Sequence, residues 1–100
     1  MKYEILLSDE SEIDVIESYS YFCSIDVKLG EKFIFEIDKA LDFISENHSI
    51  FSPIYQNIRR YLVKKFPFII YYKVDYVCLE VKIIGILHAS RNPEKWKKRN

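Results

Sequence analysis

Two groups of side chains in the second half of this sequence have the types and spacing for phosphate chemistry. Arg59-Arg60 and Lys64-Lys65 place four cations within seven residues. On a strand, neighbouring side chains alternate sides, so Arg60 and Lys64 share one face and Arg59 and Lys65 the other. Arg60 and Lys64, with Lys82, would form a cationic patch able to hold a phosphate and stabilise charge developing on its oxygens. The plainer use of the same cations is to solvate the outer face of a sheet, and spacing alone leaves both uses open. The second group is His88-Ala89-Ser90-Arg91, at the end of the last strand pattern. A rigid sheet positions such a terminus well, and His88 is the imidazole near the basic cluster, suited to general acid or base work near neutral pH. A lone His is more often a surface hydrogen-bonding group. Trp96, in the tail, is read as covering the sheet edge, with base stacking the lesser alternative.

The remaining motifs of enzyme chemistry are missing from the sequence. It has no glycine-rich phosphate loop, no Gly-x-Ser-x-Gly, no His-Glu-x-x-His, and two His and two Cys are too few for a zinc site. No cofactor and no metal is therefore expected. Cys23 and Cys78 lack Cys-x-x-Cys spacing and read as two buried, reduced thiols.

The elements that would position these groups follow from hydrophobic period. Lys2 to Leu7 reads as a strand. Ser8 then supplies an N-cap and Asp9 and Glu10 suit the helix dipole, opening a helix from about Asp9 to Ile25. That helix is expected to bury Ile13, Ile16, Tyr19 and either Tyr21 or Phe22. Leu29-Gly30 marks a break or the start of a second helix, on which Leu29, Phe33, Ile37, Ala40, Leu41 and Ile44 fall at three- and four-residue steps. Glu36, Lys39 and Asp42 fall off that stripe. A loop through Ser52-Pro53 leads to strands over Arg59–Lys65, Phe68–Val74 and Val77 to about Leu87, with Asp75-Tyr76 as a tight turn. Gly85 inside the last strand suggests a bulge or a close backbone approach. The tail reads as a short basic helical turn or a frayed end. Helices grouped together and strands joined by short turns give an α+β fold: an N-terminal strand, a two-helix hairpin, then a three-stranded antiparallel meander in one sheet, with the helices on one face.

The whole chain, residues 1–100, reads as one domain. A large aromatic share, with eight Tyr, seven Phe and one Trp, helps a domain of this size build a core. No apolar run is long enough to span a bilayer and no secretion signal is read, so a cytoplasmic protein without membrane contact is expected. Net charge is zero but unevenly placed: residues 1–57 carry twelve acids and four bases, residues 58–100 three acids and eleven bases. One acidic and one basic surface should result, the latter drawn to phosphates or acidic proteins.

Four stretches, taken together, resemble the RelE/ParE toxin superfamily of type II toxin–antitoxin systems. They are Leu29-Gly30-x-x-Phe33, Ile58-Arg59-Arg60-Tyr61-Leu62-Val63, Lys65-Phe66-Pro67-Phe68-x-x-x-Tyr72 and Ile86-Leu87-His88-x-x-Arg91-x-Pro93-x-x-Trp96. Their order and spacing match across nearly the full length. The resemblance implies a compact sheet with a helical hairpin, a toxin linked to growth inhibition and plasmid stabilisation, and a cognate antitoxin that wraps it. RelE-like members cut messenger RNA on the ribosome. ParE-like members inhibit DNA gyrase and are not regarded as nucleases. By the resemblance, Arg60, Lys64, His88 and Arg91 fall where RNA-cutting relatives place functional groups, and an endoribonuclease is the first expectation, a gyrase inhibitor the alternative. The chain departs from those relatives in lacking a Tyr just beyond the last strand, where Ala89, Ser90 and Asn92 stand, and in being neutral overall. The antitoxin is expected to be an acidic segment that approaches Arg60, Lys64, Lys65 or Arg91.

Overall fold

A computed structural model describes residues 1–90 and 94–100. Strand β1 (Glu4–Leu7) is followed by helices α1 (Asp9–Ile25) and α2 (Val27–Glu46), strands β2 (Ile58–Leu62), β3 (Phe68–Asp75) and β4 (Glu80–His88), and a short helix α3 (Glu94–Lys97). This is the expected α+β element order. Among the described residues no helix is long and apolar enough to cross a membrane.

The strands form one sheet in the order β1-β4-β3-β2. β2, β3 and β4 are the expected antiparallel meander, but β1 runs parallel to β4, so the sheet is mixed rather than antiparallel throughout. A helical hairpin rather than a tight turn joins β1 to the meander, and such a crossover permits parallel pairing. The bulge expected at Gly85 is present: Tyr71 pairs with Gly85 and Tyr72 with Ile83, leaving Ile84 as the extra residue. Register shifts of this kind re-aim the side chains that follow.

Helix α2 behaves as its period predicts. Phe33, Ile37, Ala40 and Ile44 join Phe68, Ile70, Tyr72, Val81 and Ile83 in the main core, on the helix face of the sheet. Glu36 is nevertheless buried on this helix, flanked at 3.8 Å by both Lys39 and Lys65. The break between the helices lies at Asp26, whose carboxylate accepts the Lys28 N–H at 3.0 Å, and Leu29-Gly30 falls in the first turn of α2, at the start of the second helix. Gly30 is a contact point where α2 crosses α1. A Cβ there would collide with Cys23 Sγ and lie 3.3 Å from the Cys23 backbone nitrogen. Gly30→Ala should therefore cost about 1–3 kcal/mol, as overpacking does. Adding Cys23→Ala should recover most of that loss in thermal unfolding. An unchanged melting temperature in Gly30→Ala would refute the close crossing.

Helix α1 corrects the sequence expectation. Ile13, Ile16 and Tyr21 are exposed, as is Tyr19. The inward residues are Ser11 and Asp14, followed by the half-buried Ser18 and Phe22. The reason lies in the sheet. β1 ends at Leu7, so the edge of β4 beyond Ile83 has no neighbouring strand. α1 lies along that edge and must supply polar partners to its backbone. Ser11 Oγ donates to the Ile83 carbonyl at 2.9 Å, and the Asp14 carboxylate accepts the Ile86 N–H at 3.0 Å.

The ends of the strands also shift. β2 stops at Leu62, so the alternation that would put Lys64 beside Arg60 does not extend that far. β4 begins at Glu80, after a turn in which Val77 and Cys78 are exposed rather than buried strand residues. Both cysteines are free. The second face of the sheet carries a smaller core of Ile58, Ile69, Tyr71, Ile84 and Leu87, covered by Trp96 of α3. The Trp96 ring stacks on Tyr71 at 4.7 Å, so it covers this outer face rather than an edge. Two helices thus pack on one face and the third on the other.

Candidate functional site

His88, at the end of β4, opens into a cleft of about 480 Å³ between that strand end and α1. Phe22 and Phe68 form its apolar floor, and Glu17, Ser90 and Lys95 bring polar groups to its walls. The His88 ring stands edge-on to Phe68 with centroids 5.5 Å apart. The Ser90 N–H donates to His88 Nδ1 at 3.1 Å, and Ser90 Oγ lies 2.8 Å from the same nitrogen. A nitrogen that accepts from a backbone N–H presents its lone pair, so the neutral ring carries its hydrogen on Nε2. In this neutral form the Nε2–H can donate a hydrogen bond to a phosphate oxygen, whereas giving a proton to a leaving oxygen takes the imidazolium, in which Nδ1 no longer accepts the Ser90 N–H.

One wall of the cleft is held by a buried ion pair. Arg99 reaches back from the C-terminus to Asp14, with Nη1 2.6 Å from Oδ2 and Nη2 3.2 Å from Oδ1. The same guanidinium donates to the Ile84 carbonyl at 3.1 Å and lies 3.3 Å from Glu10. It passes over Gly85, where a Cβ would sit 3.2 Å from Nη1, so the missing side chain makes room for it. The Asp14 carboxylate raises the Arg99 pKa above its ordinary value and keeps the charge fixed.

The other sequence-derived candidates are not gathered around His88. Arg60 lies on the outer face of the sheet, paired in register with Tyr71. Burial raises the Tyr71 pKa and the Arg60 charge opposes this, so the phenol stays protonated at neutral pH. Lys64 lines a separate hollow of about 130 Å³ with Glu36, Lys39, Ala40, Phe43 and Tyr61. Arg91 lies outside the described residues. Lys82 pairs with Asp75 at 3.6 Å. Arg59 is not a free cation: it donates to the carbonyls of Phe51 and Ser49 and to the Tyr76 hydroxyl, holding the loop between α2 and β2. Sequence reasoning missed Asp14, Arg99 and Lys95, because nothing in local spacing announces a contact between residues 14 and 99.

Among the described residues one trio has metal-ligand chemistry, Asp75, Cys78 and Glu80, with ligand atoms within 4.8 Å of one another. The Asp75 carboxylate is already used to close the β3–β4 turn, accepting the N–H groups of Val77 at 3.0 Å and Cys78 at 2.9 Å. Those bonds, the Cys78 one foremost, hold its pKa below the ordinary carboxylate value.

The fold is a known one. The chain superimposes on a chain of the chromosomal ParDE TA system from P. aeruginosa with a TM-score of 0.73, covering 87% of this chain and 96% of the other at 14% identity. The likeness is one of fold, and it is the fold that the sequence resemblance implies. No protein-family model matches the chain, and no curated protein sequence is similar to it.

Proposed function

We propose that this chain is the toxin of a toxin–antitoxin pair, a growth inhibitor held in check by a cognate antitoxin protein. The observation that carries the reading is the match of fold over nearly the whole of both chains, 87% and 96%, to a member of a ParDE TA system. The four sequence stretches resembling the RelE/ParE superfamily support it independently. Expression of the gene alone should arrest bacterial growth, and co-expression of the adjacent small gene should relieve the arrest. Robust growth under verified expression of the folded protein would overturn the reading.

For the target, the first reading is ribosome-dependent cleavage of messenger RNA in the cytoplasm, with His88 as proton donor in the cleft. The support is that His88 and Lys95, a cation able to hold phosphate, line the same cleft. The second reading is a gyrase inhibitor without chemistry of its own. It is favoured by the placing of Arg60, Lys64 and His88 on the outer face, in the α2–β2 hollow and in the α1–β4 cleft, rather than around one phosphate. Neither reading needs a cofactor or metal.

A further inference from the structure

Part of the polar lining of the α1–β4 cleft is already committed to the fold. The Asp14 carboxylate is held by Arg99 and the Ile86 N–H, and Ser90 by His88 Nδ1. Two charges are not. Among the described residues no hydrogen bond or ion pair engages the Glu17 carboxylate or the Lys95 ammonium, both of which line the cleft and are exposed. Glu17 belongs to α1 and Lys95 to α3, so the acid and the base enter the cleft from different elements. On α1, Asp14, Glu17, Ser18, Tyr21 and Phe22 recur at three- and four-residue steps, which is one helix face, and all five line the cleft. Helical side chains lean toward the N-terminus, so the Tyr21 ring lies over the turn that carries Glu17. Phe22 is packed among Phe33, Phe66 and Phe68, but Tyr21 is 62% exposed and meets Phe22 edge-on at 5.4 Å.

An open aromatic ring, a carboxylate and an ammonium in a cleft of about 480 Å³ describe a ligand with a planar ring, donors on one edge of it, and an anion. The volume is that of a small-molecule site and accommodates one nucleotide. Among the bases the carboxylate discriminates by their donors, because an ionised carboxylate only accepts. Guanine sets two donors side by side, N1–H and the N2 amino group, which meet the two carboxylate oxygens as a fork. Adenine and cytosine place an unprotonated ring nitrogen beside the amino group, and uracil flanks its N3–H with carbonyl oxygens. Each of those three turns a lone pair toward the acid. An arginine or lysine side chain would satisfy Glu17 but would bring a second cation toward Lys95.

We propose that the α1–β4 cleft binds a guanine nucleotide, with Glu17 reading the edge of the base, Tyr21 stacking on it and Lys95 holding the phosphate. The inference rests on the messenger RNA reading for the source of that nucleotide, a residue of the message rather than a free nucleotide. Stacking is tolerant of sequence because every base has a π-face, and phosphate contacts carry no sequence information. Tyr21 and Lys95 therefore supply affinity, and Glu17 supplies the selection.

The test titrates the full chain with the ribonucleoside 3′-monophosphates of all four bases and with inosine 3′-monophosphate, which lacks the N2 amino group. Guanosine 3′-monophosphate should bind roughly tenfold or more tighter than the other three, the scale of a hydrogen bond to a charged group. The inosine nucleotide should lose most of that advantage with the protein unaltered. Glu17→Gln should abolish the preference without moving the melting temperature, since the carboxylate is exposed and bonds to nothing in the fold. Tyr21→Ala should weaken all the nucleotides alike. Equal binding of every base, a guanine preference that survives in Glu17→Gln, or no binding at millimolar concentration overturns the site. Primer extension on translated message in induced cells then separates the two sources. Cuts beside guanine that lose this bias in Glu17→Gln support the message. Codon-linked cuts indifferent to guanine overturn that assignment and leave the nuclease reading standing. An absence of cuts removes the nuclease reading, and a selective titration then keeps the cleft as a site for a free guanine nucleotide.

Discussion

Asp14→Ala should destabilise this protein by about 3–5 kcal/mol, the cost of removing one partner of a buried ion pair. Both side chains of the Asp14–Arg99 pair are nearly out of water, at 6% and 9% exposure, so solvent offers little compensation. The variant would leave the Arg99 guanidinium without its bidentate acceptor and the Ile86 N–H without a bond. Against a total stability of about 5–15 kcal/mol for a domain, a loss of that size is visible in any urea titration. The pair also ties α3 to the rest of the fold, so a second signal is available. Trp96 is the single tryptophan, buried against Tyr71. Its emission should shift toward that of a solvated indole at urea concentrations below the main transition. The doubly substituted Asp14→Leu, Arg99→Met should lose less than the sum of the single changes, because no isolated charge remains. It should not regain wild-type stability, since the Ile86 N–H and Ile84 carbonyl would both lack these partners. A single Asp14→Ala change costing under about 1 kcal/mol would show that the pair is solvated and that α3 docks without it.

What the sequence revealed, and what it hid, divides along the same physical line. The α2 stripe of Phe33, Ile37, Ala40 and Ile44 was readable because the helix lies over a completed part of the sheet and buries apolar groups against apolar groups. The N-cap at Ser8 and the bulge at Gly85 were readable because each depends on local backbone geometry. α1 was misread because it faces a strand edge, where Ser11 and Asp14 are needed and Ile13 and Ile16 are displaced to solvent. No hydrophobic period carries that information: it requires knowing that β1 stops at Leu7 and that β1 and β4 are neighbours. The site was legible in the same uneven way. His88 stands at the strand end where the pattern placed it, and it opens into a cleft. The pairing of Arg60 with Lys64 was lost because the chain leaves the sheet after Leu62. Arg59 was readable as a cation but not as the side chain that fastens the 49–51 loop, since its acceptors are backbone carbonyls that any residue supplies.

If His88 is the proton donor of a messenger RNA endoribonuclease, His88→Ala should lower cleavage by about 100-fold or more, the usual contribution of a positioned acid or base. The geometry makes the expectation more specific than a loss of activity. With Nδ1 accepting from the Ser90 N–H, the neutral ring carries its hydrogen on Nε2, so a ring that gives up a proton must first become imidazolium and release that bond. His88→Gln keeps a donor amide but has no proton to give at neutral pH, so it should retain RNA binding and lose cleavage. Lys95→Ala, in the same cleft, should weaken binding and cleavage together, as expected of a cation holding phosphate. Arg60→Ala and Lys64→Ala provide the internal comparison, because neither side chain lines the His88 cleft. On the nuclease reading centred there, they should alter capture of the ribosome rather than the cleavage step, visible as a changed concentration dependence with an unchanged maximal rate. The decisive measurement pairs primer extension on translated message in induced cells with a supercoiling assay on purified gyrase. Codon-linked cuts that vanish in His88→Gln, with supercoiling untouched, would establish the nuclease. Growth arrest with no cuts, equal toxicity in His88→Ala and inhibited supercoiling would replace it with the gyrase reading. The folded surface would then act by contact alone, and the cations on the outer face and at the α2–β2 hollow would matter more than the imidazole.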